Sequence, residues 1–131
     1  MAKAIHMMVR VMDEARSVDF YRKVLGLEVS DRREWPDFTL IYLRNPEADF
    51  ELELTVNKGR TEPYALGTGY GHVAFAVDNL EAERTRIAGL GFAPKDVKEM
   101  THDGKPFGRF FFIEDPDGYK IEVLERAGRF R

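Results

Sequence analysis

The chain has 131 residues, 44% of them hydrophobic. That is enough for one core-forming domain or two small half-domains, and it excludes a disordered chain. The net charge of −3 comes from interleaved acids and bases, which gives no basic surface for nucleic acid. The absence of cysteine removes disulfides, thiolate zinc sites and a cysteine nucleophile, and fits a reducing compartment.

The N-terminal "MAKAIHMMVRVMDE" is broken by His6 and Arg10 and lacks a small-residue cleavage site, so it does not read as a signal peptide. No stretch approaches the roughly 18 apolar residues of a membrane span. The expectation is a cytoplasmic protein with no membrane partner. Residues 4–12 read as a strand and 14–25 as a helix, with Asp13 as N-cap and Gly26 as stop. Val18, Tyr21, Val24 and Leu25 recur at helical spacing. "FTLIYLR" (38–44) and "FELELTV" (50–56) read as strands joined by the turn "NPEAD".

From residue 72 the same order returns. "HVAFAV" is a strand, 80–90 a helix between Asn79 and Gly91, "RFFFI" (109–113) a strand, "EDPDG" a turn and "YKIEVLE" a strand. "GTGYG" (67–71) precedes a strand rather than a helix, so it reads as a linker and not as a phosphate loop. "HDGK" (102–105) reads as a turn, and His102 as a loop histidine. The period of about 66–70 residues marks a duplicated unit. The expected domains are therefore two modules, 1–66 and 67–131, each a strand, a helix and a run of strands.

Overlaying the repeats matches His6 to His72 and Glu53 to Glu122. Each repeat supplies one histidine where its first strand opens and one glutamate on its last strand. Singly, each has an ordinary explanation: strand alternation puts Glu51 and Glu53 on the face opposite Leu52 and Leu54, and would leave both Glu53 and Glu122 solvated. Together, two imidazoles and two carboxylates form a mixed ligand set for a divalent transition metal. A pseudo-two-fold relation between the repeats would bring them to a shared axis. Arg10 lies four residues after His6, on the same strand face.

The segments "IHMMVRVMD", "SVDFYRKVLGL", "ELELTVN", "LGTGYGHVAFAVDN" and "EDPDGYKIEV" together resemble the glyoxalase I (lactoylglutathione lyase) family of the vicinal oxygen chelate superfamily, over about residues 4–125. The resemblance implies an α+β fold of two tandem βαβββ modules with curved mixed sheets around a metal. It implies His6, Glu53, His72 and Glu122 as ligands, and Glu122 as the catalytic base that leaves the metal when substrate arrives. His6, where other members carry Gln, resembles the bacterial nickel or cobalt enzymes; zinc stays open. The family enzymes are usually homodimers with the site between subunits.

The implied reaction converts the methylglyoxal–glutathione hemithioacetal to S-lactoylglutathione. A free carboxylate is too weak a base for that carbon acid, so a divalent metal must stabilise the enediolate while a carboxylate moves the proton. Arg10 and Asn57 match family positions that contact the thiol peptide, and either Lys105 or Arg109 matches a basic loop residue. Rival readings are a methylmalonyl-CoA epimerase, a dioxygenase of the same superfamily, or a metal-free binding protein. Glu53 counts against the dioxygenases, which use two histidines and one glutamate.

Overall fold

A computed structural model describes residues 1–131. The chain divides into two compact units, Met1–Ala65 and Leu66–Arg131. The first runs β1 (His6–Arg10), α1 (Glu14–Leu25), β2 (Glu28–Glu34), β3 (Phe38–Arg44) and β4 (Glu51–Asn57). The second runs β5 (Val73–Val77), α2 (Leu80–Gly89), β6 (Lys98–His102), β7 (Lys105–Glu114) and β8 (Lys120–Glu125). Each unit is thus a βαβββ module. No helix is long and apolar enough to cross a membrane.

The helices start and stop where their sequences dictate. The Asp13 carboxylate accepts from the Arg16 N–H at 2.9 Å, and Gly26 at φ 65° donates to Arg22 O at 3.0 Å. These satisfy backbone groups that the helix leaves unpaired at its two ends. Ser17, Phe20, Tyr21 and Val24 form the buried stripe of α1 at the 3–4–7 spacing. Asn79 caps α2 by accepting from Ala82 N at 3.0 Å. That helix ends a residue sooner than expected, with Leu90 as C-cap ahead of Gly91.

The two sheets have the same topology. Their orders are β1-β4-β3-β2 and β5-β8-β7-β6. In each, the first and last strands of the module pair in parallel at one side, and the other pairs are antiparallel. Alternate residues of β1, β3 and β4, and of β7 and β8, face the core. In the first unit these are Val9, Ile41, Leu43, Leu52 and Leu54; in the second, Phe111, Ile113, Ile121 and Val123.

Two strands escape the hydrophobic pattern. All seven residues of β2 and all five of β6 are exposed. Each is an outer strand, held by its ladder to β3 or β7 and not by burial, so alternation gives no sign of it. Charged side chains line β2 and ion-pair along it: Arg32 to Glu14 at 2.6 Å and Lys58 to Glu34 at 2.7 Å. Such charges also keep an open sheet edge from pairing with other chains. The "HDGK" turn joins β6 to β7, with positive φ at both Asp103 (51°) and Gly104 (74°), as a two-residue hairpin requires. The "DPDG" turn is built on buried Asp115, whose Oδ1 accepts from the Asp117 and Tyr119 N–H groups, both at 2.9 Å.

Leu54 has no exposed surface. Leu54→Ala is expected to cost about 2–5 kcal/mol, while loss of the helix cap in Asp13→Ala should cost about 1 kcal/mol. Urea unfolding followed by far-UV circular dichroism measures both, and equal losses would contradict the assignment of Leu54 to the core.

Candidate metal centre

Strand register explains why each repeat brings one histidine to one glutamate. In the first unit His6 lies opposite Glu51 and Met8 opposite Glu53, across the parallel β1–β4 ladder. His6, Met8, Arg10, Glu51, Glu53, Thr55 and Asn57 therefore share one sheet face. His6 Nε2 stands 3.0 Å from Glu53 Oε2. In the second unit Ala74 lies opposite Glu122 across β5–β8, and His72 immediately precedes β5. His72 Nε2 stands 3.2 Å from Glu122 Oε2.

The third strand adds a matching aromatic ring to each pair. Tyr42 lies opposite Glu53, and Phe112 opposite Glu122. The Tyr42 ring meets His6 edge-on at 5.9 Å, and the Phe112 ring meets His72 edge-on at 5.3 Å. The duplicated unit is therefore a histidine, a glutamate and an aromatic ring on three neighbouring strands. Sequence reasoning missed Tyr42 and Phe112, because the overlay that matches the glutamates places Tyr42 on Phe111, and only the strand registers show Phe112 as its counterpart.

Glu53 is 8% exposed, against the solvated position that alternation suggested. Neighbours on its own face cover it. Thr55 Oγ1 donates to Glu53 Oε1 over 3.5 Å. Burial first, and then the Glu53 carboxylate as hydrogen-bond acceptor, push the Tyr42 phenol above its ordinary value. Glu122 is partly buried, with 15% of its side chain exposed. The two histidines are more open, at 37% and 41%.

These pairs fit a divalent metal. Two adjacent ligands bonded at about 2.1 Å are roughly 3.0 Å apart in octahedral geometry and roughly 3.4 Å in tetrahedral geometry. The observed separations of 3.0 and 3.2 Å fall in that interval. The donors are imidazole nitrogen and carboxylate oxygen, the set suited to first-row divalent ions. No three His, Asp or Glu side chains converge on one point, so each unit offers two of the four predicted ligands.

A model of the Glyoxalase/Bleomycin resistance protein/Dioxygenase superfamily matches residues 3–123. The chain belongs to that superfamily. It is 39% identical to a lactoylglutathione lyase of Escherichia coli O157:H7, covering 97% of this chain and 96% of the relative. A lactoylglutathione lyase of Neisseria meningitidis is 38% identical over 95% of this chain and 91% of its own. Among solved structures, the trypanothione-dependent glyoxalase I of Leishmania major superposes with a TM-score of 0.76 at 33% identity, covering 95% of this chain and 87% of that one. Glyoxalase I of Zea mays gives 0.83 at 30% identity, with 96% of this chain matching 45% of the maize protein. The α+β architecture expected from the sequence is the fold of this superfamily.

Arg10 ends β1 and is exposed on His6's face. Asn57 ends β4, and its Oδ1 accepts from the Tyr64 hydroxyl at 3.0 Å; Arg60 stacks over Tyr64 at 4.3 Å. In the second unit a cleft of about 700 Å³ opens beside His72, with Phe110, Phe112, Lys98 and Lys120 in its wall. His102 lies in the β6–β7 hairpin beside Asp103. Tyr70, in the linker, donates to Lys120 O at 3.2 Å.

Arg109 is occupied structurally. It bonds Glu81 on α2 and reaches Glu125 on β8 at 3.0 Å. Lys105, beside the turn of the hairpin and opposite His102, is exposed. The Arg109 guanidinium holds the Glu81 carboxyl below its usual range. A depressed folded-state carboxyl stabilises the protein above the unfolded carboxylate range, and that contribution is lost as pH falls through the lowered value. Arg109→Leu should therefore flatten the acid side of the stability–pH curve, read by thermal melting between pH 3 and pH 7. A large rise in KM with an unchanged curve would instead place Arg109 on substrate.

Proposed function

We infer that this protein is a lactoylglutathione lyase. It isomerises the hemithioacetal of methylglyoxal and glutathione to S-lactoylglutathione, with His6, Glu53, His72 and Glu122 holding a divalent metal. The observation that carries the residue assignment is the duplicated His–Glu pair. Two equivalent places in the fold each bring an imidazole Nε2 and a carboxylate Oε2 to metal-ligand spacing. Either pair alone would pass for a surface contact.

When bound, the metal acts as a Lewis acid that lowers the cost of negative charge developing on the substrate oxygens. The chain's residues do the rest. Glu122 takes the proton from the sulfur-bearing carbon and returns it to the neighbouring carbonyl carbon, while the hydroxyl proton passes from the oxygen on the first carbon to the oxygen on the second, so the net change is an isomerisation. The ring beside Glu122 is Phe112, which offers it no hydrogen bond, whereas Glu53 sits between Tyr42 and Thr55. That difference favours Glu122 as the carboxylate that moves and Glu53 as the one that stays. Arg10, Asn57, Lys98 and Lys120 offer cationic and amide groups to the two carboxylates of glutathione.

Half of the donor set lies in each unit, which supports a homodimer whose site joins His6 and Glu53 of one subunit to the partner's His72 and Glu122. A two-fold axis would then make two identical sites. His6 in place of Gln favours nickel or cobalt over zinc. Glutathione is a thiol of the cytosol, and we place the enzyme there.

Stripping the metal with a chelator should abolish hemithioacetal isomerisation. Nickel or cobalt should restore more activity than zinc, and Glu122→Gln should lower kcat by at least about a thousandfold with metal still bound. A folded, metal-loaded protein with no isomerase activity would sink the reading.

Subunit mixing tests the shared site separately. His6→Ala and His72→Ala homodimers should each be inactive. Dissociated and reassembled together, they should regain activity, because every mixed dimer contains one site free of both substitutions. No recovery, with mixed dimers verified by mass, would show that the ligands do not come from two subunits.

A further inference from the structure

The two half-sites are equivalent in topology, so their differences identify what each is built to do. Glu53 and Glu122 occupy matching positions, each next to its histidine on a parallel neighbour strand. Across the antiparallel ladder, Glu53 faces Tyr42 while Glu122 faces Phe112. Two residues further along the same strands and on the same faces, Thr55 matches Leu124. Thr55 lies opposite Arg10 and Leu40, and Leu124 opposite Ala76 and Phe110. At both neighbouring positions the first unit has a hydroxyl and the second has carbon.

We propose that Tyr42 is a positioning residue that anchors Glu53 as the static ligand, and that Phe112 at the matching place leaves Glu122 free to move a proton. The inference rests on the ligand assignment above and goes beyond it, since neither residue is itself a ligand or a base. The physical reason is that a ligating carboxylate is oriented by the hydrogen bonds its oxygens accept. Tyr42 lies across the ladder from Glu53 with its ring edge-on to His6, and a phenol donor there would restrict Glu53 to rotamers that present Oε2 beside His6 Nε2. The Phe112 ring gives Glu122 an apolar wall with no donor, so only His72 and the metal hold it. A carboxylate held by fewer bonds leaves the metal at lower cost.

The test uses the assembled protein, made metal-free and titrated with cobalt against a chromophoric chelator, with steady-state kinetics alongside. Tyr42→Phe should weaken cobalt binding by about tenfold or more without lowering the melting temperature of the metal-free protein. Phe112→Tyr, which gives Glu122 the donor that Glu53 has, should bind cobalt at least as tightly as the parent but lose about tenfold in kcat, with KM little changed. Opposite effects on affinity and turnover are not what general damage to the sheet would produce. The proposal is overturned if Tyr42→Phe binds cobalt within about twofold of the parent, or if Phe112→Tyr keeps full turnover. If Tyr42→Phe does not fold, the kcat of Phe112→Tyr decides alone. A parent protein that binds no cobalt overturns the ligand assignment and this inference together; normal parental binding with unaltered Tyr42→Phe affinity overturns this inference only.

Discussion

A carboxylate with less than a tenth of its surface in water is costly to keep charged unless polar groups or a cation compensate it. Glu53 is in that condition on an open sheet face, and its surroundings answer it with His6, Thr55 and Tyr42. Much of the design follows from that need. The β1–β4 pairing has to be parallel and in one register to bring the histidine from the start of the module to the glutamate at its end. A one-residue slip would turn Glu53 toward the apolar core, where Leu52 and Leu54 now point.

Parallel neighbours require a crossover connection. Here α1 and the two intervening strands supply it, and the buried stripe of α1 belongs to the core that fixes the sheet's other face. The same arrangement in the second module places His72 by Glu122. Duplication gives two copies of one geometry, and later divergence at single positions gives them different properties. Tyr42 against Phe112 and Thr55 against Leu124 are such positions, and Arg10 against Ala76 puts a cation at that place in the first unit only.

Charge is distributed to suit this division of labour. Arg32, Lys58 and Arg109 are held in ion pairs along edges and between elements. Lys98 and Lys120 line the cleft beside His72. Asp96 and Glu114 share that wall, so the recess carries both signs of charge, as the chain does.

The sequence by itself determined the helices, whose caps and apolar spacing are local. It also determined the duplication, and with it the matching of His6 to His72 and Glu53 to Glu122. Those are properties of residue order, legible without coordinates. It could not reveal β2 and β6, because an outer strand exposed at every residue owes its existence to the ladder beside it and leaves no alternating pattern. Nor could it tell that Glu53 is buried, since alternation reports which face a residue takes and not what covers that face. That Tyr42 stands across from one glutamate and Phe112 from the other, and that Arg109 is spent on Glu81 and Glu125, depends on strand register and helix placement. Only the tertiary structure decides these, because each joins residues distant in sequence through contacts that no local preference encodes.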